Sequence, residues 1–334
     1  EFAFSNCQKL ASLHFGKLTV INDGSFTNCV SLSDIGDLTS VITVGENSFE
    51  NCTNLASIKF TNKLTSVGKS AFKNCVALNS IGETAGIESI GDMSFSNCVK
   101  FTSLHFGSEL RTIGDEAFCG CSSLVSVTFS PIEKLSVGLK SFESCKSLET
   151  VYIEKASTVE ISKEAFENCP ALSYFNFTII DLLTIGDYSF YGCPLNDSLS
   201  FDSKELKISH HAFSSPLLKT IEFKDEIDKL CLFEDSFTEC TGVDCVIANA
   251  SLVDDVRVAF NEKVVNGEFC PSTDDSDSSS KNKKKKFIII GVTVGVLLLV
   301  VVIIIVVVFV RKSRNSDYQA IDDNQNTLFN TVKN

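Results

Sequence analysis

A five-residue phrase, Ser48-Phe49-Glu50-Asn51-Cys52, recurs in variant form through residues 1–240. Its phenylalanines are Phe4, Phe26, Phe49, Phe72, Phe95, Phe118, Phe142, Phe166, Phe190, Phe213 and Phe237, separated by 22, 23, 23, 23, 23, 24, 24, 24, 23 and 24 residues. A period this constant demands stacked, near-identical coils and leaves no room for a single globular core. Energetics say the same. Ordering ~23 residues costs roughly 1–2 kcal/mol each in backbone entropy, more than half a dozen buried apolar side chains return at roughly 1.5–3 kcal/mol apiece. One coil alone is therefore unstable, and burial by its neighbours supplies the difference.

Within each period the Cys is followed by L-x-x-[IV]-x-F, as in Leu55-Ile58-Phe60 and Leu124-Val127-Phe129. Apolar residues two apart mark a short strand with one buried face. A second unit, L-x-x-[IV]-G, follows, as in Leu64-Val67-Gly68 and Leu110-Ile113-Gly114. Gly there suggests a turn with positive φ. The small-residue/Phe/Cys phrase has the spacing of one tight helical turn. The residue before the Phe is always Ser or Ala, which reads as close packing on the outer side. Each coil is thus expected to run strand, turn, strand, turn, short helical turn.

These residues resemble the BspA-like class of leucine-rich repeats, whose pattern is similar to C-x-x-L-x-x-I-x-L-x-x-x-L-x-x-I-G-x-x-A-F. The resemblance covers residues 1–245. It implies a fold of the α/β class leaning mostly to β, a leucine-rich-repeat solenoid of about ten to eleven coils of 22–24 residues. It also implies a bacterial or protist surface protein whose solenoid binds protein or glycan ligands on host or microbial surfaces. The chain lacks the Asn or Cys that common leucine-rich repeats carry just after the strand. Pro216 replaces a repeat Cys, Asn196 replaces a strand Leu, and Ile161-Ser162 and Ile208-Ser209 replace Ile-Gly, so those coils are expected to be less regular.

Phe287 to Val310 is an uncharged run rich in Ile, Val and Leu, longer than the ~20 residues that span a bilayer. It reads as a transmembrane helix that follows the solenoid. Residues 246–270 read as a C-terminal cap with a helix-like stretch over Val253–Val265, residues 271–286 as a Ser/Asp-rich then Lys-rich stalk, and residues 311–334 as a cytoplasmic tail. Lys281 and Lys283–Lys286 precede the span, while Arg311, Lys312 and Arg314 follow it. That bias alone places the repeats in the cytoplasm, but large domains translocate largely regardless of flanking charge. Sequons at Asn51, Asn176, Asn196 and Asn249 favour the outside as glycosylation sites. The expectation is a single-pass plasma-membrane protein with repeats outside and tail inside. Starting at Glu1 in mid-repeat, it reads as a fragment or processed form.

Of 29 Lys/Arg and 42 Asp/Glu, residues 281–334 hold 9 and 3, leaving 20 basic against 39 acidic in residues 1–280, a net of −19. Such a body repels phosphate backbones, so nucleic acid is not an expected partner. Ten of the 14 cysteines occupy the repeat position and read as small buried hydrophobes. Of the rest, Cys245–Cys270 is the expected disulfide, although pairing cannot be derived from sequence. His14 and His105 lie too far apart to share a metal, and His210-His211 has no nearby carboxylate at metal spacing. No phosphate loop, nucleophile elbow or recurring acid pair is present, so neither enzyme activity nor a cofactor is expected.

Binding remains, on the exposed strand positions. Five residues after the Cys the column is nearly uniform Ser/Thr. Seven after it the column varies, and with neighbouring Tyr174 and Glu154 it nominates a ligand patch of Tyr152, Tyr174, Glu154, Asn176, His105 and Lys59 on the concave face. A glycan on Asn176 would obstruct that patch. In the tail, Tyr318-Gln319-Ala320-Ile321 resembles an endocytic signal, in which Tyr318 and Ile321 enter two pockets of a clathrin adaptor. Adhesion is the primary expectation, with uptake of a soluble ligand as the alternative.

Overall fold

The computed structural model describes residues 1–176, 180–224, 226–248 and 251–260, together with the backbone of 264–266. The chain divides into two units, Glu1–Ser272 and Thr273–Asn334, and all described residues fall in the first. Asn249, Cys270, the span 287–310, Tyr318 and Ile321 lie outside them. Among the described residues no helix is long and apolar enough to cross a membrane.

The first unit is a mostly-β parallel solenoid. Its continuous side comes from the second repeat unit: ten strands, from Val20–Ile21 through Ser66–Val67, Thr112–Ile113 and Ile180–Ile185 to Lys229–Leu232, pair in parallel. The L-x-x-[IV]-x-F strands form a second side broken into three sheets, with Ser57–Phe60 beside Ser80–Gly82, four strands spanning Ser103–Phe175, and a last group beginning at Ser198–Phe201. Alternation is strict, as in Ser57–Phe60, where Ile58 and Phe60 are buried while Ser57 and Lys59 face water. Where Ser replaces Gly the ladder remains regular, for Ile161 pairs with Ile185 and Ile185 with Ile208, whereas the second side breaks at the coil of Asn196, between Tyr174–Phe175 and Ser198–Phe201.

The Gly of the Ile-Gly pair has a different reason from the one expected. Gly68 shows no positive φ. A Cβ there would meet the Gly45 carbonyl carbon and the Glu46 nitrogen, each at 2.7 Å, so the demand is close approach to the preceding coil's backbone.

The third side is not a helical turn. From Phe4 to Phe190 the residues two before and two after the Phe sit in the left-handed region, as at Ser70 (φ 53°) and Asn74 (φ 60°) around Phe72, and this prevents helix formation; at Phe213 only His211 keeps the pattern, and at Phe237 neither position does. Amide N–H groups there alternate in direction. Lys73 and Cys75 donate within the coil, to Ser70 and Phe72 carbonyls at 3.2 and 3.0 Å. Ser70, Phe72 and Asn74 donate to the next coil, to Asp92, Ser94 and Ser96 carbonyls at 2.7, 2.7 and 2.8 Å. Coils are thereby stitched along the turn side as well as along the ten-stranded side.

Inside, the repeat phenylalanines form one stack from Phe4 to Phe237, with neighbouring centroids about 5 Å apart (5.1 Å for Phe49–Phe72, 5.2 Å for Phe72–Phe95). Offset stacking adds roughly 0.5–1.5 kcal/mol per pair beyond area burial. Beside it runs the cysteine file. Cys52, Cys75 and Cys98 donate their thiol hydrogens to carbonyls of the preceding coil's Phe26, Phe49 and Phe72 at 3.2, 3.1 and 3.2 Å. These thiols therefore also bridge coils. From Ser25 on, the Ser/Ala position before each Phe faces the interior, contrary to the expected outer placement: Ser48, Ala71, Ser94 and Ala117 are completely buried.

An asparagine ladder exists after all, on the turn side. Asn28, Asn51, Asn74 and Asn97 each donate from Nδ2 to Oδ1 of the preceding Asn6, Asn28, Asn51 and Asn74, at 2.8–3.0 Å. The left-handed backbone there selects Asn or Gly. At the next coil Gly120 (φ +73°) takes the place, where a Cβ would sit 2.6 Å from Asn97 Oδ1.

A helix over Val253–Phe260 closes the C-terminal end with Val253, Val256 and Phe260 buried. The helix is shorter than the sequence suggests. Val264–Asn266 instead forms a strand paired in parallel with Cys245–Ala248, because its backbone completes the last sheet. Cys245 is disulfide-bonded.

Candidate ligand-binding faces

On the broken side, the expected ligand patch is partly assembled. Thr150 pairs with Tyr174 and Tyr152 with Thr128, so Tyr152 and Tyr174 occupy diagonal positions on adjacent strands. Tyr152 is 41% exposed. Tyr174 is half-buried, and burial, then the neighbouring Tyr152, pushes its phenol up. Glu154 is exposed next to them and its amide is tied to the Phe129 carbonyl.

The other nominated residues separate. His105 is exposed with Nδ1 2.9 Å from Thr128 Oγ1, one coil below Tyr152's strand neighbour. Lys59 is exposed but four coils from Tyr152, about 19 Å at strand spacing. Gly82 (φ +86°) interrupts the column between them.

Asn176 is not on the surface at all. It is 7% exposed, donating Nδ2–H to the Ile153 carbonyl at 2.6 Å and accepting the Ile153 N–H at 2.8 Å. Its amide satisfies the backbone of the strand beside it and is available to neither ligand nor glycan. Asn51 is committed to the ladder from both amide atoms. Asn196 is exposed.

A second cluster, which the strand columns do not reveal, lies on the turn side. Tyr188 stacks on His211 (4.9 Å, 25°) and meets Tyr191 edge-on (5.8 Å, 66°). Lys163 Nζ lies 6.0 Å over the Tyr188 ring. The histidines do have a carboxylate, brought from the next coil: Asp235 lies 2.8 Å from His210 Nδ1 and 3.5 Å from His211 Nε2. Residues 23 to 25 apart meet here, and reading the turn-side positions by column would have shown it. Among the described residues, no group of three or more His, Cys, Asp or Glu is placed to hold a metal ion.

Within the file the shifts differ: burial raises Cys75, Cys98 and Cys121, whereas hydrogen bonds from the Cys145 and Cys193 thiols hold Cys169 below the ordinary thiol range. Burial pushes Cys75 up to about 12 and, assisted by Glu143 and Glu116, Cys119 up to about 11. Neither is a thiolate at neutral pH.

The sequence profile for a BspA type leucine rich repeat region (6 copies) matches residues 1–98, 72–195 and 159–262. No curated protein matches the chain. Among solved structures, it is similar to a leucine-rich repeat protein from Bacteroides ovatus, 21% identical over 80% of this chain and 80% of that one, TM-score 0.42. It is similar also to a leucine rich cell surface protein from Faecalibacterium prausnitzii, 18% identical over 79% and 88%, TM-score 0.39. A third is the pneumococcal vaccine antigen PcpA, 17% identical over 77% and 66%, TM-score 0.44. With the repeat profile matched from residue 1 to residue 262, the chain belongs to the BspA-type leucine-rich repeat family.

Proposed function

We propose that the protein is a non-enzymatic cell-surface binding protein that mediates adhesion. Its solenoid stands outside the plasma membrane, anchored by a helix over residues 287–310, and engages protein or glycan partners on host or microbial surfaces. The observation that carries this reading is the patch at Tyr152, Tyr174 and Glu154. There two phenols stand on paired strands whose other outward residues are short hydroxyls, with a carboxylate just past the end of one strand. Half-exposed Tyr on a preorganised backbone suits an interface hot spot. The non-enzymatic reading is supported by the cysteine and asparagine files, whose thiols and amides are used in bonds between coils.

Antibody labelling of the repeats on intact cells tests the topology. Attachment assays test the patch: Tyr152→Ala is expected to reduce cell or matrix binding at least fivefold with an unchanged melting temperature. Full attachment by the Tyr152→Ala, Tyr174→Ala double variant would remove this face from the reading.

The tail supports a second reading, an endocytic receptor in which Tyr318 and Ile321 engage a clathrin adaptor. Tyr318→Ala then lengthens surface residence, and an unchanged internalisation rate eliminates it.

A further inference from the structure

The turn side between Glu143 and Glu239 combines aromatic rings with carboxylates that its own cations do not fully neutralise. Lys140 is held by Glu143 and Glu164 at 3.3 and 3.0 Å, and Lys163 by Glu164 at 3.1 Å. Glu167 makes no ion pair among the described residues, and burial together with Glu164 and Glu143 pushes its carboxyl up. One coil further on stands Tyr191, half-exposed, beside the exposed Gly192. Its hydroxyl donates to Glu239 Oε1 at 3.3 Å, and Ser214 Oγ donates to the other oxygen of the same carboxylate at 3.2 Å. Tyr191 is thus flanked along the solenoid axis by Glu167 on one side and Glu239 on the other. The adjoining ring of Tyr188 already carries a cation, the Lys163 ammonium.

We propose that this face is a docking surface for a basic protein segment, lying extended along the solenoid axis with cationic side chains at Glu167 and Glu239 and the chain between them across Tyr191. Charge complementarity selects the partner: the solenoid body is strongly acidic, and aromatic faces next to carboxylates favour Lys or Arg over neutral or anionic groups. Geometry selects the spacing. Glu167 and Glu239 are three coils apart, about 14 Å at strand spacing, which an extended peptide covers in about four residues. The preferred segment therefore carries basic residues at positions i and i+4. This surface is separate from the strand face at Tyr152 and does not depend on where the protein resides.

The test is calorimetric, with the full chain and two peptides of equal composition, one with lysines four apart and one with them adjacent. Saturable, salt-sensitive binding at least fivefold tighter for the spaced peptide is expected. Glu167→Gln and Glu239→Gln each weaken it at least fivefold, Tyr191→Ala likewise, and Tyr191→Phe less than twofold because the ring remains. Glu88→Gln, an exposed carboxylate on the ten-stranded side, changes it less than twofold. Glu239 is a surface residue, so its variant remains informative if Tyr191→Ala is poorly folded. Equal loss with Glu88→Gln, or no preference for spacing, would reduce the effect to diffuse acidity and overturn the proposal. Displacement by tetramethylammonium at equimolar concentration would assign the site to a small amine and overturn it too. Because cell attachment is not measured, failure here leaves the adhesion reading standing, and the converse holds.

Discussion

The ring of Phe260, in the terminal helix, lies 4.9 Å from that of Phe237, inclined at 45°. Phe237 is the last member of the repeat stack, 4.8 Å from Phe213. The helix thus ends the column with one further phenylalanine, presented from different secondary structure at nearly the same spacing. An open coil would leave that column's last face in water, and Val253 and Val256 cover the rest of it.

Phe260→Ala is accordingly expected to destabilise the C-terminal end by about 3 kcal/mol. Hydrogen exchange measures this best, because the loss concentrates in the Cys245–Ala248 strand and fades toward Thr150. Uniform loss along the solenoid would mean that the helix does not act as an end cap.

The cysteine file predicts alkaline lability. Cys75 is pushed up to about 12 from 9.0, first by burial, and Cys240 to about 11 for the same first reason. In the unfolded chain these thiols ionise near 9, so from there to the folded values the native state holds the more protons and stability falls as pH rises. Stability from this source is complete below about pH 9 and lost progressively up to about pH 12. Chemical denaturation at pH 8 and pH 10.5 should show it, and replacing Cys75 with Ala should flatten the slope. In native protein at pH 8, thiol reagents should label exposed Cys231 and Cys7 before any of the buried file.

Ser94 is fully buried and its hydroxyl has no hydrogen-bond partner, as at Ser48, Ser141 and Ser189. Ala occupies the same position in intervening coils, so Ser94→Ala is expected to raise stability by about 1 kcal/mol. Ser236 differs, donating to the Ile208 carbonyl at 3.1 Å, and Ser236→Ala should lower stability by about the same amount. Equal effects of the two changes in thermal melts would contradict the distinction.

Glu116 sits at φ 53° in the position two before Phe118. A side chain there costs roughly 1 kcal/mol, so Glu116→Gly should stabilise, whereas glycine elsewhere in a strand destabilises. A lower melting temperature for this variant would refute the backbone assignment.

Asn176 predicts a split among the sequons. Expressed through a secretory route, the protein should carry glycan at exposed Asn196 and none at Asn176, as peptide mapping can establish. Asn176→Ala removes both partners of Ile153's peptide groups and should cost about 2 kcal/mol.

Much of the solenoid was legible because its signal is repeated. The Phe column, the alternation in strands such as Ser57–Phe60 and the burial of the cysteines all follow from local pattern. Eleven copies average away the noise of any one. The adjacency of Tyr152 and Tyr174 was legible for the same reason, since register between coils equals the repeat period and places them diagonally on neighbouring strands. Asn176 occupies the same column as Tyr152, yet its side chain turns inward to the Ile153 backbone. Column position does not report orientation where a sheet ends.

The sequence by itself determined the coil, its length, the need to stack and the apolar residues that face inward, because these depend on periodicity alone. Only the tertiary structure decided what one coil does to the next. It made the Ile-Gly glycine a matter of clearance from the backbone below rather than of turn conformation. It placed Ser48 and Ala71 inside, joined Asn28 to Asn51, and brought Asp235 to His210. Each of these is a contact between residues a full period apart. Their geometry depends on coil spacing and on left-handed positions two before the Phe, such as Ser70, which Ser, Met, Glu and Lys occupy alike and which therefore leave no residue signature to read.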